Sequence, residues 1–540
     1  MKQILIVGNG ISGLTCAIEA AKAGIQASIL SPFPSQRAQS VMAAGGINAV
    51  LPSCDPGDSV RLHIQETLES GCRIGGEKAV SALCADAPAI IGWLESIGVV
   101  FSRDENGQAA KRAFGGQSRK RTIYAGASTG KQIVTALIQE ARKWECRGLI
   151  QRRLGLRFHT ALIRDGACYG VLCYSEAEKR LIPFYADAVV MATGGQNCLF
   201  GKTTGSTLCD GYGAAMLFLQ GAALKNLEMI QYHPTSIETP QKRMLVTEAA
   251  RGEGGRLYYI KDGKRVYFME EAFGPRGNLM PRDIVSKYVY DAPSQVYLDI
   301  AFLGENIIRS RLEEVYQLCQ DYLGLDVTKE SIPVAPSVHF FMGGLWVDER
   351  HRTSLKGLYA AGECASLYHG ANRLGGNSLL SAIHSARAAL SSISEESLPA
   401  RHPDFSGWIR QQQQSIEKLL LSKSPFSAVY IQNQLAKIMG EDLGIVRTGE
   451  KLSQGLESID YYLSVCDKLI YDSQVSPYQA YSLGPMLTLA RAILTCALSR
   501  KETRGAHIRE DFPERDPSLE KASVIRYNQG KFTVTYEKEE

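Results

Sequence analysis

Three glycines near the start of the chain have the spacing of a phosphate-binding turn. Gly8, Gly10 and Gly13 follow a short apolar run and precede an apolar stretch that is typical of a helix. The first glycine permits a tight bend, the second lets the backbone approach a pyrophosphate, and the third allows close packing of helix on strand. The N–H groups at the helix start would face the negative charge. The pattern predicts a dinucleotide cofactor.

Two further glycine pairs suit a long cofactor. Gly45 and Gly46 lie within the run AAGGIN, and the run TGG at 193–195 closes an apolar segment. Small residues at such positions let backbone N–H groups reach phosphates and ring oxygens. One position departs from the generic fingerprint, because the second predicted strand leads into Ser31, where an acidic residue usually meets the ribose.

The elements around these turns predict a doubly wound α/β fold. Residues 2–7 are typical of a buried strand, residues 14–23 of an apolar helix ended by Gly24, and residues 26–30 of a second strand. Residues 187–192 and 358–361 have the pattern of later strands of the same kind. The nucleotide-binding domain is therefore predicted to be discontinuous in sequence.

The remaining segments differ in composition. Residues 233–340 mix charged turns, aromatic residues and Gly-rich corners, which predicts an inserted α+β domain. Helical patterns dominate from about 400 to 505, including 409–421 and 485–498. Pro485 is expected in the first turn of its helix, where a missing N–H has no cost. The polar tail contains a strand-like run at 531–536.

Composition excludes several function classes. The chain has 540 residues, 45% hydrophobic and 21% charged, with a net charge of +4. This charge is too small and too evenly spread to favour nucleic-acid or membrane binding. No run of about 18 apolar residues and no signal-peptide pattern occurs, so no transmembrane helix is predicted and a cytoplasmic location is expected.

The thirteen cysteines indicate a reducing compartment. Their number is odd, they are scattered from Cys16 to Cys496, and no CxxC or CxxCH motif is present, which favours free thiols. No metal site is predicted, and no ligand set for an iron–sulfur cluster or haem can be recognised. Any chain of electron carriers must therefore belong to another polypeptide.

Short motifs then occur in a fixed order along the chain. They are 114–117 (FGGQ), 121–127 (RTIYAGA), 233–235 (HPT), 247–255 (TEAARGEGG), 281–283 (PRD), 339–345 (HFFMGGL), 361–363 (AGE), 369–380 (HGANRLGGNSLL), 504–507 (RGAH) and 512–515 (FPER). The chain thereby resembles the flavoprotein subunit of succinate dehydrogenase and fumarate reductase, nearly from end to end.

The resemblance implies a Rossmann-like, doubly wound FAD-binding domain with an inserted α+β capping domain and a C-terminal helical domain. This agrees with the segmentation made from the residues alone. The predicted boundaries are 1–232 and 341–395 for the FAD-binding domain, 233–340 for the capping domain, 396–505 for the helical domain and 506–540 for a C-terminal tail.

The cofactor implied by the resemblance is FAD. The residues expected to contact it are Gly8, Gly10, Gly13, Ser31, Ser40, Gly45, Gly46, Thr193, Gly194, Asp210, Glu363, Arg373, Ser378 and Leu379. Many family members carry a histidine, six residues before the first glycine of the AGG-like motif, that bonds covalently to the flavin. Here that position is Gln39, which cannot form the link. FAD is therefore expected to be held noncovalently, and reduction of fumarate is favoured over oxidation of succinate.

The resemblance also assigns the chemistry. It places Arg373 and His339 at one carboxylate of a four-carbon dicarboxylate, with His233 and Thr247 at the other. A guanidinium suits a planar carboxylate because it can bind both oxygens at once.

The same resemblance makes Arg282 the proton donor, with Glu248 and Arg251 as the relay that returns its proton. Such a donor is unusual, because a free guanidinium has a pKa above about 12.

Other functions remain open. An L-aspartate oxidase has the same fold and nearly the same arginine–histidine set, and it also lacks the covalent histidine. The motifs at 114–117 and 342–344 and the tail at 504–515 favour the succinate/fumarate type. A reductase of another acrylate is a second alternative. A flavin-binding partner without turnover is disfavoured, because it has no need for Arg282, Glu248 and Arg251.

The expected partners follow from the same reasoning. A C4 dicarboxylate is the expected substrate, and either an iron–sulfur subunit or a soluble donor is expected to exchange electrons with the flavin. No direct membrane insertion is expected, so any position at the inner face of a membrane would depend on partner subunits.

Overall fold

A five-stranded parallel sheet forms the centre of the fold in the computed structural model of the chain. Its strands, in spatial order, are Leu358–Ala360, Ala188–Met191, Gln3–Val7, Gln26–Ser31 and Ile150–Leu154. Every pairing in the sheet is parallel. The structure describes residues 2–51, 55, 57–126, 128–240, 242–396, 403–420, 427–466 and 477–539. Ala127 of the RTIYAGA motif and the boundaries of the helical segment near 400 lie outside these residues.

Four of the five parallel strands are largely buried and apolar, whereas the edge strand Ile150–Leu154 is polar and mostly exposed. Gln3–Val7 is buried except at its first residue, and Ala188–Met191 is buried throughout. Strands covered on both faces carry such near-continuous apolar runs. The helix Ile11–Lys22 packs on the strands Gln3–Val7 and Gln26–Ser31 and on the helices Thr129–Cys146 and Asn377–Glu395.

Further elements surround this sheet. An antiparallel sheet contacts it, with the strands Leu156–Arg164, Ala167–Ser175 and Arg180–Tyr185. A small sheet consists of Ile47–Asn48, Thr122–Ile123 and Lys111–Arg112. The other helices of this region are Val60–Ser70, Glu77–Ser96 and Tyr212–Leu219.

A six-stranded sheet is formed by residues that lie, in the sequence, between the strands Ala188–Met191 and Leu358–Ala360 of the parallel sheet. Its strands, in spatial order, are Arg243–Leu245, Ile230–Glu238, Ile332–Phe341, Val296–Asp299, Arg256–Lys261 and Lys264–Val266. The pairings are antiparallel. Its helices are Ala249–Gly252, Phe268–Phe273, Arg282–Tyr290, Glu305–Arg311 and Glu313–Leu323. These elements enclose a separate hydrophobic cluster, and we call them the cap.

The C-terminal part combines helices with a mixed sheet. The helices are Ser406–Leu420, Ala428–Ile438, Gly449–Val465 and Pro477–Ser499, and a π-helical turn spans Met439–Leu443. The sheet has the order Ala365–Ser366, Gly344–Trp346, Leu224–Lys225, Ala522–Asn528 and Lys531–Glu537, and a short parallel pair joins Val446–Arg447 to Ile508–Arg509. The last strand agrees with the run predicted at 531–536.

The position expected for Pro485 was wrong. The helix begins at Pro477, so Pro485 lies in its interior and not in its first turn. A proline there removes one hydrogen bond of the helix and usually bends or breaks it. The helix continues because its other residues pack on the helices Gly449–Val465 and Tyr212–Leu219, and that burial outweighs the local loss.

The same helix is long and apolar enough to pass a composition test for a membrane span. The window that passes lies in Tyr478–Ser499, and 61% of it is buried inside the protein. It is the one such helix among the described residues, and its packing is that of a core helix.

The predicted strands are confirmed to within about two residues at each end. The central sheet takes strands from 3–7 and from as far as 358–360, as the discontinuous domain requires. The mixed α/β architecture agrees with the predicted fold class. The domain boundaries given above stay a prediction.

Candidate functional site

A long cleft opens at the carboxyl ends of the parallel strands. It is lined by the residues that directly follow four of these strands, which are Gly8, Pro32, Ala192 and Ala361. Ligands of doubly wound sheets bind at this edge. Its lining extends from the first glycine turn at Gly8 and Gly10 to His339 and Arg373, so the cleft suits an extended ligand such as a dinucleotide.

The first glycine turn is shaped for close backbone approach. Gly8 has a φ of +112°, and a Cβ there would lie 2.2 Å from the carbonyl oxygen of Ala192. A Cβ on Gly13 would lie 2.0 Å from the carbonyl oxygen of Gly8. Gly10 lines the cleft, whereas Gly13 does not and acts through packing. The division of roles among the three glycines is the one that the spacing predicts.

Two helices begin at the cleft. Ile11–Lys22 starts after Gly10, and Asn377–Glu395 starts after Gly376, which has a φ of +84°. Both N-cap residues are glycines, which have no side chain to cap the helix. The N–H groups of each first turn and the positive end of each helix dipole therefore favour an anion at both places. The site therefore fits the phosphates of a dinucleotide.

Buried carboxyls lie along the same cleft. Burial raises the pKa of Glu363 to about 7, although the backbone N–H of Phe341 donates to it at 3.1 Å. Burial likewise raises the pKa of Asp210, which accepts from the N–H of Tyr212 at 3.0 Å. Both side chains can accept hydrogen bonds from ligand hydroxyls or ring N–H groups. Ser31 takes part in a local turn instead, donating to the carbonyl oxygen of Phe33 at 2.9 Å.

Gln39 lies on the cleft wall. Its Oε1 accepts a hydrogen bond from the backbone N–H of Ser206, so the side chain is oriented by the protein. The neighbouring Ser40 accepts from the N–H of Ile11 at 3.3 Å and thus fixes this wall against the first helix.

At the end of the cleft nearest the cap, side chains from both regions converge. Four of the residues predicted to bind substrate line this end: His233, Thr247, His339 and Arg373. The rings of His233 and His339 are 5.1 Å apart between centroids, with 62° between their planes. Burial, and after it the nearby arginines, lowers the pKa of both histidines well below the usual value. Both rings are therefore neutral at neutral pH.

Arg282, Glu248 and Arg251 form one buried chain of contacts. Glu248 Oε2 accepts from Nη2 and Nε of Arg282 at 2.6 and 2.9 Å. Its Oε1 lies 3.3 Å from Nη2 of Arg251 and accepts from the N–H of Gly115 at 2.8 Å. Burial alone would raise the pKa of Glu248, but the two guanidiniums outweigh it and hold the value at about 2. Arg282 and Glu248 line the cleft, whereas Arg251 lies behind Glu248.

Positive charge exceeds negative charge at this end of the cleft. Glu248 contacts Arg282 and Arg251, but Arg373 has no hydrogen bond or ion pair through its side chain to any residue in the described ranges, and its Nε is buried without a partner. Burial lowers the pKa of Arg373 well below its usual range. A buried unpaired cation is costly, so this end of the cleft favours an anionic ligand with carboxylate-like oxygens.

All predicted site residues except Gly13 and Arg251 line one continuous cleft. No role was predicted for several further residues at the site: Phe114, Phe340 and Tyr478 line the cleft, and Gln231 contacts two of its arginines. Gln231 accepts from Arg282 Nη1 at 3.1 Å and donates to the carbonyl oxygen of Arg373 at 2.8 Å. It lies two residues before His233 on one strand, so the alternation of side chains could have identified it. Tyr478 comes from the distant C-terminal helix, and no local sequence pattern could have identified it.

Among the described residues, no group of three or more His, Cys, Asp or Glu side chains is arranged to hold a metal ion.

Comparisons with known proteins identify the relatives of this chain. Residues 3–379 match the family described as FAD binding domain, and residues 432–540 match the family described as fumarate reductase flavoprotein C-term. The succinate dehydrogenase flavoprotein subunit of Bacillus subtilis is 34% identical over 95% of this chain and 92% of its own length. The L-aspartate oxidase of Yersinia pestis is 31% identical over 95% and 96%. A solved chain of E. coli quinol fumarate reductase superposes with a TM-score of 0.91 and 30% identity, covering 99% of this chain and 97% of that one.

Proposed function

The chain belongs to the family of succinate dehydrogenase and fumarate reductase flavoprotein subunits, and from this premise we propose that it reduces fumarate, or a closely related C4 dicarboxylate, to the saturated product. Membership makes the chain an FAD-dependent oxidoreductase. FAD, when bound, supplies the hydride. The parts of the cleft that would hold it are the glycines of the first turn, the starts of the helices Ile11–Lys22 and Asn377–Glu395, and the carboxyls of Asp210 and Glu363.

The observation that carries the proposal is the excess of positive charge beside the cofactor cleft. Three guanidiniums meet there, and Glu248 is the carboxylate in contact with two of them. The next carboxyls are Glu363 and Asp283, whose pKa values burial raises to about 7 and about 6. Even so, the balance stays positive, and a dianionic substrate would offset it.

Arg373 and His339 are assigned to one substrate carboxylate, with His233 and Thr247 at the other. Arg373 is suited to its role because its donors face the cleft without an acidic partner. Holding that carboxylate stabilises the negative charge that develops on the substrate after hydride addition. His233 is buried and His339 is half-buried, so little of either ring is open to solvent.

Arg282 is assigned the proton transfer. In the reduction, a hydride adds to one alkene carbon and a proton from an Arg282 nitrogen to the other, so that the double bond becomes a single bond. The guanidinium then regains its proton through Glu248 and Arg251, which contact it in series. Glu248 is placed to pass a proton between the two guanidiniums, because its Oε2 accepts from Arg282 and its Oε1 lies 3.3 Å from Nη2 of Arg251.

Gln39 supports the finer parts of the proposal. An amide cannot form the covalent flavin link that a histidine forms at this position, so FAD is bound noncovalently. The covalent link is expected to raise the flavin potential, and its lack favours fumarate reduction over succinate oxidation.

An iron–sulfur subunit or a soluble donor supplies the electrons, and the chain resides in the cytoplasm, either free or at the membrane through that partner.

A second candidate function is L-aspartate oxidation. Gln39 is compatible with it, and an L-aspartate oxidase is among the relatives, at 31% identity. A reductase of another acrylate would share the same arginines. Both use the same cleft, so only substrates can separate them.

The first test is anaerobic reoxidation of reduced viologen by the FAD-loaded protein, with fumarate as acceptor. Rapid fumarate-dependent turnover would support the proposal and exclude a binding-only role. Anaerobic addition of L-aspartate is the matched test, because bleaching of the flavin would favour the oxidase. Fumarate turnover at or below the rate with crotonate, a monocarboxylic acrylate, would contradict the proposal.

A further inference from the structure

An aromatic side chain supports the guanidinium of Arg373. The ring centroid of Phe340 lies 4.3 Å from Cζ of Arg373, which is a cation–π distance. The edge of the same ring is flanked by His369 at 5.3 Å between centroids and 82° between planes. Phe340 is 7% exposed and Arg373 is 3% exposed. The two residues therefore form a buried stack at the wall of the cleft.

We propose that Phe340 is a positioning residue that orients Arg373 for the substrate carboxylate. An arginine can be fixed by a carboxylate, but the carboxylate then occupies its donors and cancels its charge. An aromatic face attracts the cation while leaving its N–H groups open. Arg373 has this second kind of support, since no acidic side chain in the described ranges pairs with it.

The backbone of Arg373 is fixed independently by the neighbouring strand. Gln231 donates to its carbonyl oxygen at 2.8 Å and accepts from Arg282 at 3.1 Å. Gln231 and Phe340 face each other across the paired strands Ile230–Glu238 and Ile332–Phe341. One strand pair thus supports both arginines, Arg282 through Gln231 and the side chain of Arg373 through Phe340. This arrangement sets the spacing between the carboxylate-binding group and the assigned proton donor.

The inference rests on the proposed function only in its choice of substrate. Any carboxylate held by Arg373 should depend on Phe340, whether fumarate, L-aspartate or another acrylate is reduced or oxidised. Binding can therefore be followed without turnover, by the change that malonate causes in the flavin absorbance of the holoprotein.

The test compares Phe340→Leu with Phe340→Tyr. Leucine keeps most of the apolar volume but removes the aromatic face, so the KM for fumarate and the Kd for malonate should rise about 3- to 30-fold, which spans exposed to desolvated cation–π contacts. The kcat should change less than about threefold, because Arg282 and Glu248 are untouched. Tyrosine keeps the face and should restore binding to within about threefold.

Phe218→Leu is the matched control. Phe218 is a buried ring that packs on Tyr527 and Phe532, outside the cleft. It reports the general effect of removing a buried phenyl group on FAD content and thermal stability. If Phe340→Leu lowers FAD content and Tm like this control while the malonate Kd is unchanged, Phe340 is structural only and the inference is overturned. If wild-type protein binds malonate but does not reduce fumarate, the proposed function fails while the malonate comparison still decides the role of Phe340.

Discussion

At the scale of single residues, two arginines in one cleft have opposite surroundings. Nε and Nη2 of Arg282 both donate to Glu248. The guanidinium of Arg373 stacks on the ring of Phe340 instead, and its unpaired donors face the cleft. A guanidinium held by a carboxylate is fixed in place and has a group nearby that can exchange protons with it. A guanidinium that has no carboxylate beside it keeps its positive charge available to a ligand. The difference matches proton transfer at Arg282 and carboxylate binding at Arg373.

Replacement of Arg282 by Gln should lower fumarate turnover by about 10²–10⁴-fold, the range for loss of a general acid. FAD content should stay normal, because the assigned cofactor residues lie elsewhere in the cleft. Viologen-linked turnover and the flavin-to-protein ratio measure the two effects. Arg276→Gln is a suitable control, since Arg276 donates to the carbonyl oxygen of Gln117 and does not line the cleft. Substantial residual activity in Arg282→Gln would exclude it as the donor.

Because Gln39 stands where many family members carry the flavin-linking histidine, we expect the flavin to be released when the protein is denatured. Denaturation of the holoprotein with acid or detergent should release all flavin into the low-molecular-weight fraction, because an amide offers no nitrogen able to bond the flavin covalently. Separation of protein from small molecules, followed by absorbance near 450 nm, measures the result. Yellow protein after denaturation would mean that another side chain forms a covalent link.

His233 predicts a pH dependence of substrate binding. Nδ1 of His233 lies 3.0 Å from the carbonyl oxygen of Thr235 and 3.3 Å from its backbone nitrogen, so Thr235 occupies Nδ1 in either tautomer and Nε2 is left for a ligand. Burial and the arginines lower its pKa when the cleft is empty of anion, and a dianion would raise it. Binding therefore takes up a proton, and the malonate Kd should increase from pH 6.5 to 8.5, by at most about tenfold per unit. A Kd that is constant over this range would mean that Nε2 carries the proton in the neutral ring.

At the scale of elements, one segment of the FAD-binding region reaches into the cap. Arg112 donates to the carbonyl oxygen of Arg311 and lies 3.6 Å from Glu314 of the helix Glu313–Leu323. Three residues later, Gly115 donates to Glu248. The segment 112–117 thus connects a cap helix to the acidic residue of the proposed relay, so the position of the cap and the geometry of Glu248 are joined by one short stretch of backbone.

The ion pair on this segment should make stability depend on pH. Burial raises the pKa of Glu314 from its ordinary value to about 7, although Arg112 opposes the shift. A carboxyl with a raised folded-state pKa contributes stability below its unfolded value, and that contribution is lost as the pH rises through about 7. The free energy of unfolding of Glu314→Gln should therefore rise relative to that of wild type between pH 5 and pH 8, by on the order of 2–3 kcal/mol at most. The measurement is the difference in Tm between the two proteins at each pH.

Glu313→Gln is the control for that comparison, because Glu313 lies on the same helix but is 43% exposed in its side chain. Its Tm difference from wild type should be nearly the same at both pH values. Parallel pH profiles for wild type and Glu314→Gln would show that Glu314 is not titrating in this range.

Local patterns predicted elements well and their ends less well. Four of the five strands of the parallel sheet were predicted because their runs are apolar and largely buried. The edge strand Ile150–Leu154 was not predicted, because it is polar and mostly exposed. Pro485 misled the prediction, since proline is common in a first turn and rare inside a helix. The helix Pro477–Ser499 extends on both sides of it because tertiary packing outweighs the propensity of one residue.

At the scale of the whole molecule, the order of the motifs predicted which residues meet but not what holds them. Nearly all expected site residues line the cleft. The supports of the two arginines, Gln231 and Phe340, were not predicted, because a strand register and a cation–π contact depend on where distant segments pack. Sequence spacing carries no information about such contacts between separate elements.

Because the site takes side chains from both the parallel-sheet region and the cap, a dianion bound there should stabilise the molecule as a whole. Binding to the folded state alone contributes about 2.7 kcal/mol at a ligand concentration of 100 Kd. At constant ionic strength, malonate should raise the Tm of the holoprotein by a few degrees, and propionate, with one carboxylate, should raise it less. Arg373→Met should abolish the difference between the two ligands, because it removes the unpaired cation that faces the cleft. Equal shifts by both ligands in wild-type protein would mean that the positive excess attracts anions in general and does not select for two carboxylates.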